Sequence, residues 1–180
     1  MIGMANVAGG HARLAGALDL LRSPLLLATR LWVSWQFLVS GWLKLTTWDV
    51  TLELFRSEYH VPLLPPTVAA VFGTFGELFF PTLLVLGLLT RVGALGLSLV
   101  NLFAVVSYWH VLGAEGFEAA LAQHVLWGFM LAVVTVFGGG GISLDRLYSA
   151  PTSKRASVDG SSAAGRTTGT PGREPGSRAW

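Results

Sequence analysis

The chain contains no cysteine. No disulfide, thiolate metal site or thiol relay can form within it. That excludes the kind of membrane redox protein that hands electrons from its own dithiol to a quinone. Charge is the second scarcity. Charged residues make up 12% of the 180 residues, about half the share usual in soluble domains. Most lie before residue 25, within 47–66 or after 144. Between them run four apolar segments of roughly 20 residues, the length a helix needs to cross a ~30 Å hydrocarbon core. These segments lack the polar stripe that each helix of a soluble bundle carries, which excludes that class. The net charge of +2 comes largely from the C-terminal tail, a poor basis for nucleic-acid binding.

What is present reads as an all-α membrane protein, a four-transmembrane-helix bundle. Spans are expected at about 25–46, 67–89, 92–112 and 119–137. Residues 1–24 show no strong signal-peptide pattern. Leu14, Leu18 and Leu21 share a face there, which suggests a short interfacial helix. Ser23-Pro24 has the form of an N-cap with proline at the first helical position, so a new helix should start at that point. Asp49 to Glu58 fits a short amphipathic helix on the membrane surface. Pro65-Pro66 closes that connection and sets up the second span. Thr90-Arg91 leaves room only for a tight turn, and Gly138 to Gly141 break the fourth span. Residues 149–180 are rich in Ser, Gly, Thr, Pro and Arg and read as a disordered basic tail.

The second span carries the sharpest anomaly. Glu77 lies ten residues in, ~15 Å deep and near the midplane. A carboxylate there needs a partner or a polar cavity. Pro81, four residues on, cannot donate to the Glu77 carbonyl, so a kink is expected. Depth counting points to Arg30, Asn101 or His124 as partners of Glu77. Lys44, near the outer boundary, is expected to snorkel to water. If there are four spans, Arg13, Arg22, Arg91, Arg146, Lys154 and Arg155 share one side, and the opposite loops are acidic. The positive-inside rule then makes both termini cytoplasmic.

Two readings of the polar cluster stand side by side. One is a knot that fixes helix register. The other is a site in which Glu77 and His124 are the catalytic candidates, handling protons. Arg30, Lys44, Asn101 and Trp127 then form a polar binding cluster. A haem would need two axial histidines at similar depth; His110 and His124 both lie in outer halves, which allows one geometrically, but His110 beside Trp109 reads as interfacial. Ligands for a zinc or other metal site are too few.

These pieces resemble the DoxX family of small four-helix membrane proteins. The likeness rests on Arg30 followed by Ser40-Gly41-Trp42-Leu43-Lys44-Leu45, and on Gly76-Glu77-Leu78 leading to Leu86-Gly87-Leu88-Leu89-Thr90-Arg91. His124 and Gly141-Ile142-Ser143-Leu144-Asp145 complete it, over roughly residues 25–148. The exit pattern of the family often reads Gly-Pro-Gly, whereas this chain has four glycines. The resemblance implies a multi-pass protein of the bacterial inner membrane. It also implies a subunit of, or accessory to, a quinone-linked redox system of the thiosulfate, sulfur or oxidative-stress type. Quinone is then the cofactor, with Arg30, Lys44, Asn101 and Trp127 as its pocket, and the partners are the lipid bilayer, other membrane or redox proteins and a second copy of the chain. The alternatives are a non-catalytic anchor or assembly partner, and a small transporter.

Overall fold

The apolar segments become helices that pair around a ring. The computed structural model describes residues 2–148. α1 spans Ile2–Thr46, α2 Trp48–Ser57, α3 Pro66–Leu86, α4 Thr90–Ser107, α5 Trp109–Leu112, α6 Glu118–Phe137 and α7 Leu144–Tyr148. No strand occurs among the described residues. α1 packs on α3 and α6, and α4 packs on the same two helices from the other side. The four therefore close a ring, with α2 leaning on α3. Three of them, α3, α4 and α6, are long and apolar enough to cross a membrane. In α1 the polar residues Arg30, Gln36 and Lys44 dilute the apolar run.

The outside of the ring is apolar. Trp32, Trp35 and Trp42 of α1, Phe72 and Phe75 of α3, Leu95 and Leu99 of α4, and Val125 and Phe129 of α6 are all exposed. That surface would be unstable in water and suits lipid. Inside, Val33, Phe37, Leu84, Ala94, Leu97, Leu131 and Val134 form the buried core, drawn from all four helices. α2 seals one corner by burying Thr51 and Phe55, the latter against Ala69 and Ala70.

Several boundaries differ from expectation, each for a local reason. α1 runs unbroken through Pro24, so no new helix begins there. Ser23 Oγ does not cap; it accepts a hydrogen bond from Gly141 N at 2.9 Å. The turn between α3 and α4 falls at Gly87–Leu89 rather than Thr90-Arg91. Gly87 caps α3 in the left-handed region (φ 69°), a conformation glycine adopts without a Cβ clash. α4 stops at Ser107, five residues short of the expected end, where the Ser107 carbonyl accepts from His60 N at 2.9 Å. α6 ends at Phe137, where the glycine run begins. The expected tail, 149–180, lies outside the described residues.

Candidate functional site

One rule of helix geometry places the polar side chains. Side chains lean toward the N-terminus of their own helix. α1 runs from the α7 end of the ring toward the α2 end, and α3 runs back. Lys44, near the C-terminus of α1, therefore leans into the bundle rather than out to water. Glu77 leans toward the α2 end to meet it. Arg30 leans the other way, out of reach of Glu77.

The outcome corrects the depth argument. Lys44 Nζ donates to Glu77 Oε1, forming an ion pair. Glu77 is 5% exposed, and the Lys44 side chain 19%. Lys44 Nζ also donates to Ser40 Oγ, one turn back, at 3.3 Å. Thr51 Oγ1 donates to the Lys44 carbonyl at 3.0 Å, tying α2 to the same point. The close approach of α1 and α3 depends on Gly41. A Cβ there would lie 2.9 Å from Leu78 Cγ and 3.0 Å from Glu77 Cβ. Glu77 Oε2 remains buried without a side-chain or backbone partner. Such an acceptor is costly unless water or a ligand supplies the proton.

Asn101 and His124 partner each other instead of Glu77. Asn101 Nδ2 donates to the His124 carbonyl at 3.0 Å, which turns Asn101 Oδ1 toward His124 Nδ1 at 2.8 Å. With the amide assigned in that sense, Oδ1 can only accept, so Nδ1 of the neutral ring carries the hydrogen and Nε2 is the basic nitrogen. Trp127 packs edge-on against both His124 (4.9 Å between centroids) and Phe37 (5.4 Å).

Two cavities meet at the ion pair. The first, about 270 Å³, is apolar, walled by Phe55, Phe72, Phe80, Val100 and Phe103, with Lys44 and Glu77 as its charged groups. Phe72 and Phe103 are half or more exposed on the lipid-facing side, so this cavity lies at the flank between α3 and α4. The notch for the Phe80 ring is Gly96; a Cβ there would lie 2.2 Å from the ring. The second, about 200 Å³, is the more polar of the two and includes Gln36, Ser40, Tyr108, His124 and Trp127 together with the same Lys44 and Glu77. Tyr59 borders both. Burial, and then the Glu77 carboxylate and Tyr108, hold its phenol above the ordinary 10.0, so it stays a hydrogen-bond donor.

Arg30 belongs to a separate cluster at the α7 end. It is 1% exposed and donates from Nη2 to the Ile142 carbonyl at 2.8 Å. A Cβ on Gly87 or Gly139 would come within 2.7 or 2.8 Å of its Nη1. Asp145 caps α4, accepting from Leu89 N at 2.7 Å and Thr90 N at 2.9 Å, while its own N donates to the Gly87 carbonyl at 2.9 Å. Burial alone would raise the Asp145 carboxyl, but the hydrogen bonds from Thr90 and Leu89 and the charge of Arg30 hold it below its ordinary 3.8. This cluster staples α1, the α3–α4 turn and the α6–α7 loop together.

The order Arg30, Lys44, Glu77, then Gly87 through Arg91 now has a three-dimensional meaning, and the family profile spans it. The DoxX model matches residues 25–110. The chain carries a DoxX domain over that segment. The matched segment covers the end of α1 that holds Arg30 and Lys44, all of α3 and α4, and α2 between them. No curated protein and no solved structure matches the chain. With its DoxX domain and three apolar helices it is a multi-pass integral membrane protein in contact with lipid.

Of the six residues singled out in the sequence, Lys44, Glu77, His124 and Trp127 border the polar cavity. Asn101 orients His124, and Arg30 stands apart. Sequence reasoning missed Tyr59, Phe80, Ser40 and Tyr108. Tyr59 lies in a connection with no periodicity, and Ser40 stood in the family-like motif one turn before Lys44 without being singled out as a site residue.

Proposed function

We propose that this protein crosses the membrane four times, with the outer part of α1 as the fourth span and both termini cytoplasmic. We place it in the bacterial inner membrane, where it binds a quinone-like ring at the Lys44–Glu77 pair as part of a quinone-linked redox system. The observation that carries this reading is the apolar cavity whose polar end is that ion pair. Its ~270 Å³ lies near the lower end of the range for small-molecule pockets, about 300–1,000 Å³. That suits one ring whose tail stays in lipid. The flank position beside exposed Phe72 and Phe103 suits entry from the bilayer.

The residues present fit such a group. Lys44 offers a cationic donor to a ring carbonyl, and Tyr59 a neutral phenol. Glu77 Oε2 has an open acceptor position for a ring hydroxyl. Phe80 and Phe55 wall the ring, and Gly96 leaves room for Phe80. When bound, a quinone supplies two-electron chemistry that also requires protons. The role of this chain is to orient the ring, exclude water from the apolar side and hold a proton at Glu77. Purification with native lipid, followed by extraction and analysis for quinone, tests the reading. Stoichiometric quinone lost in Glu77→Gln supports it. Wild-type protein without quinone, together with no binding of a short-chain quinone by fluorescence or calorimetry, leaves an anchoring role.

A further inference from the structure

Both cavities lie on the α2 side of the buried apolar cluster, and the Arg30–Asp145 staple lies on the other. On every helix of the ring the order of residues is the same. α1 places Val33 and Phe37 between Arg30 and Lys44. In α3, Leu84 lies between Glu77 and Gly87. α4 sets Ala94 and Leu97 between Thr90 and Asn101. Leu131 and Val134 of α6 separate His124 from Gly138. All seven belong to one buried apolar cluster. They form a plug across the ring between the Glu77 site and the Arg30–Asp145 staple. Ser34 is a polar interruption, and its hydroxyl is fully buried without a partner.

The α2 side is built differently. The polar cavity, about 200 Å³, has room for several waters. Tyr59 and Tyr108 stand at its rim, 5.0 Å apart between centroids. Tyr108 touches His110, which touches His60 at 4.8 Å, and both imidazoles are exposed. The groups facing Glu77 are thus Lys44 from α1, Tyr59 after α2, Tyr108 after α4 and His124 from α6.

We propose that Glu77 exchanges protons with only one side of the membrane, the side of α2 and the acidic loops, through the polar cavity and His124. In the outward step the Glu77 O–H bond breaks and an N–H bond forms at His124 Nε2, across cavity water. The resulting carboxylate stays paired with Lys44, and His124 then releases its proton to water at the rim. Asn101 keeps Nε2 basic by holding the Nδ1 hydrogen. The purpose of these protons rests on the quinone reading; the one-sided route itself is measured without any ligand.

The absence of cysteine makes the test clean. Single cysteines are placed in the full chain, reconstituted in vesicles, and challenged with a membrane-impermeant cationic methanethiosulfonate. Glu58→Cys and Arg146→Cys mark the two faces. Ser40→Cys is expected to react from the Glu58 face only, and Ser34→Cys from neither. Ala104→Cys, on the wall of both cavities, replaces Ser40→Cys if that variant does not fold. Reaction at position 40 from the Arg146 face, reaction at position 34, or no reaction at position 40 or 104 from either face overturns the proposal. An infrared pH jump gives the second readout. The carboxyl band missing in Glu77→Gln should respond to the Glu58 face, and His124→Gln should slow that response by on the order of 10²-fold. An unchanged rate in His124→Gln removes His124 from the route. Quinone binding is scored separately, so its failure leaves these outcomes intact.

Discussion

Lys44→Met leaves the Glu77 carboxylate in the bundle with both oxygens unpartnered, since Oε2 already lacks a partner. Deleting one member of a buried pair costs about 3–5 kcal/mol. Lys44 is one-fifth exposed, and water already screens part of the pair, which lowers the expectation to about 2–4 kcal/mol. For a chain of this size that corresponds to a fall of about 5–15 °C in Tm. The double variant Lys44→Met/Glu77→Leu removes both charges while roughly keeping volume, and should return to within about 1 kcal/mol of wild type. Thermal unfolding in detergent, read by circular dichroism and combined as a double-mutant cycle, gives both numbers. A single variant that loses less than about 1 kcal/mol would place the pair with exposed ion pairs, and the buried-site argument would fall. The double variant also separates the two readings of the cluster. It should keep the fold and lose quinone binding, whereas loss of a pair that only fixes helix register should disturb the packing of α1 on α3.

Gly87→Ala puts a Cβ 2.7 Å from Arg30 Nη1 at a φ of 69° and should destabilise by about 2–3 kcal/mol, read by thermal unfolding. Asn101→Ala removes both bonds to His124, should cost about 1–2 kcal/mol, and should show both imidazole tautomers by ¹⁵N NMR. Gly96→Leu drives the Phe80 ring into the apolar cavity and should abolish short-chain quinone binding while the chain still inserts and folds, with about 1–3 kcal/mol lost. Asp145 has a depressed folded-state pKa, so its contribution is full above its unfolded value of 3.8 and is lost as pH falls below that value through the folded one. Tm measured between pH 2 and 7 should therefore drop at the acid end, and Asp145→Asn should flatten that drop.

The helices were legible because lipid demands long apolar runs with satisfied backbones. α6 was placed within one residue, and the end of α1 at Thr46 agrees with expectation. Breaks were less legible. Pro24 read as a helix start, yet α1 continues through it; α3 likewise runs on through Pro81, as a proline-kinked helix does. Packing and neighbouring turns fix those segments regardless of the missing N–H. The early stop of α4 at Ser107 depends on a hydrogen bond from His60, 47 residues away in the chain, which no local pattern records.

The sequence by itself determined that this is a helical membrane protein, that Glu77 is buried, and that a polar face on α1 must meet it. Those follow from composition and from periods of three and four. Which basic residue meets Glu77 was decided only by the tertiary structure. Counting residues along an axis measures the depth of Cα atoms, while partners are chosen by side-chain direction. Because side chains lean toward helix N-termini, antiparallel α1 and α3 bring Lys44 and Glu77 together and turn Arg30 away. The same arrangement brings Gly87 to Arg91 against Ile142 to Asp145, two motifs that are more than 50 residues apart in the chain. It also sets the apolar and polar cavities on either side of a single ion pair.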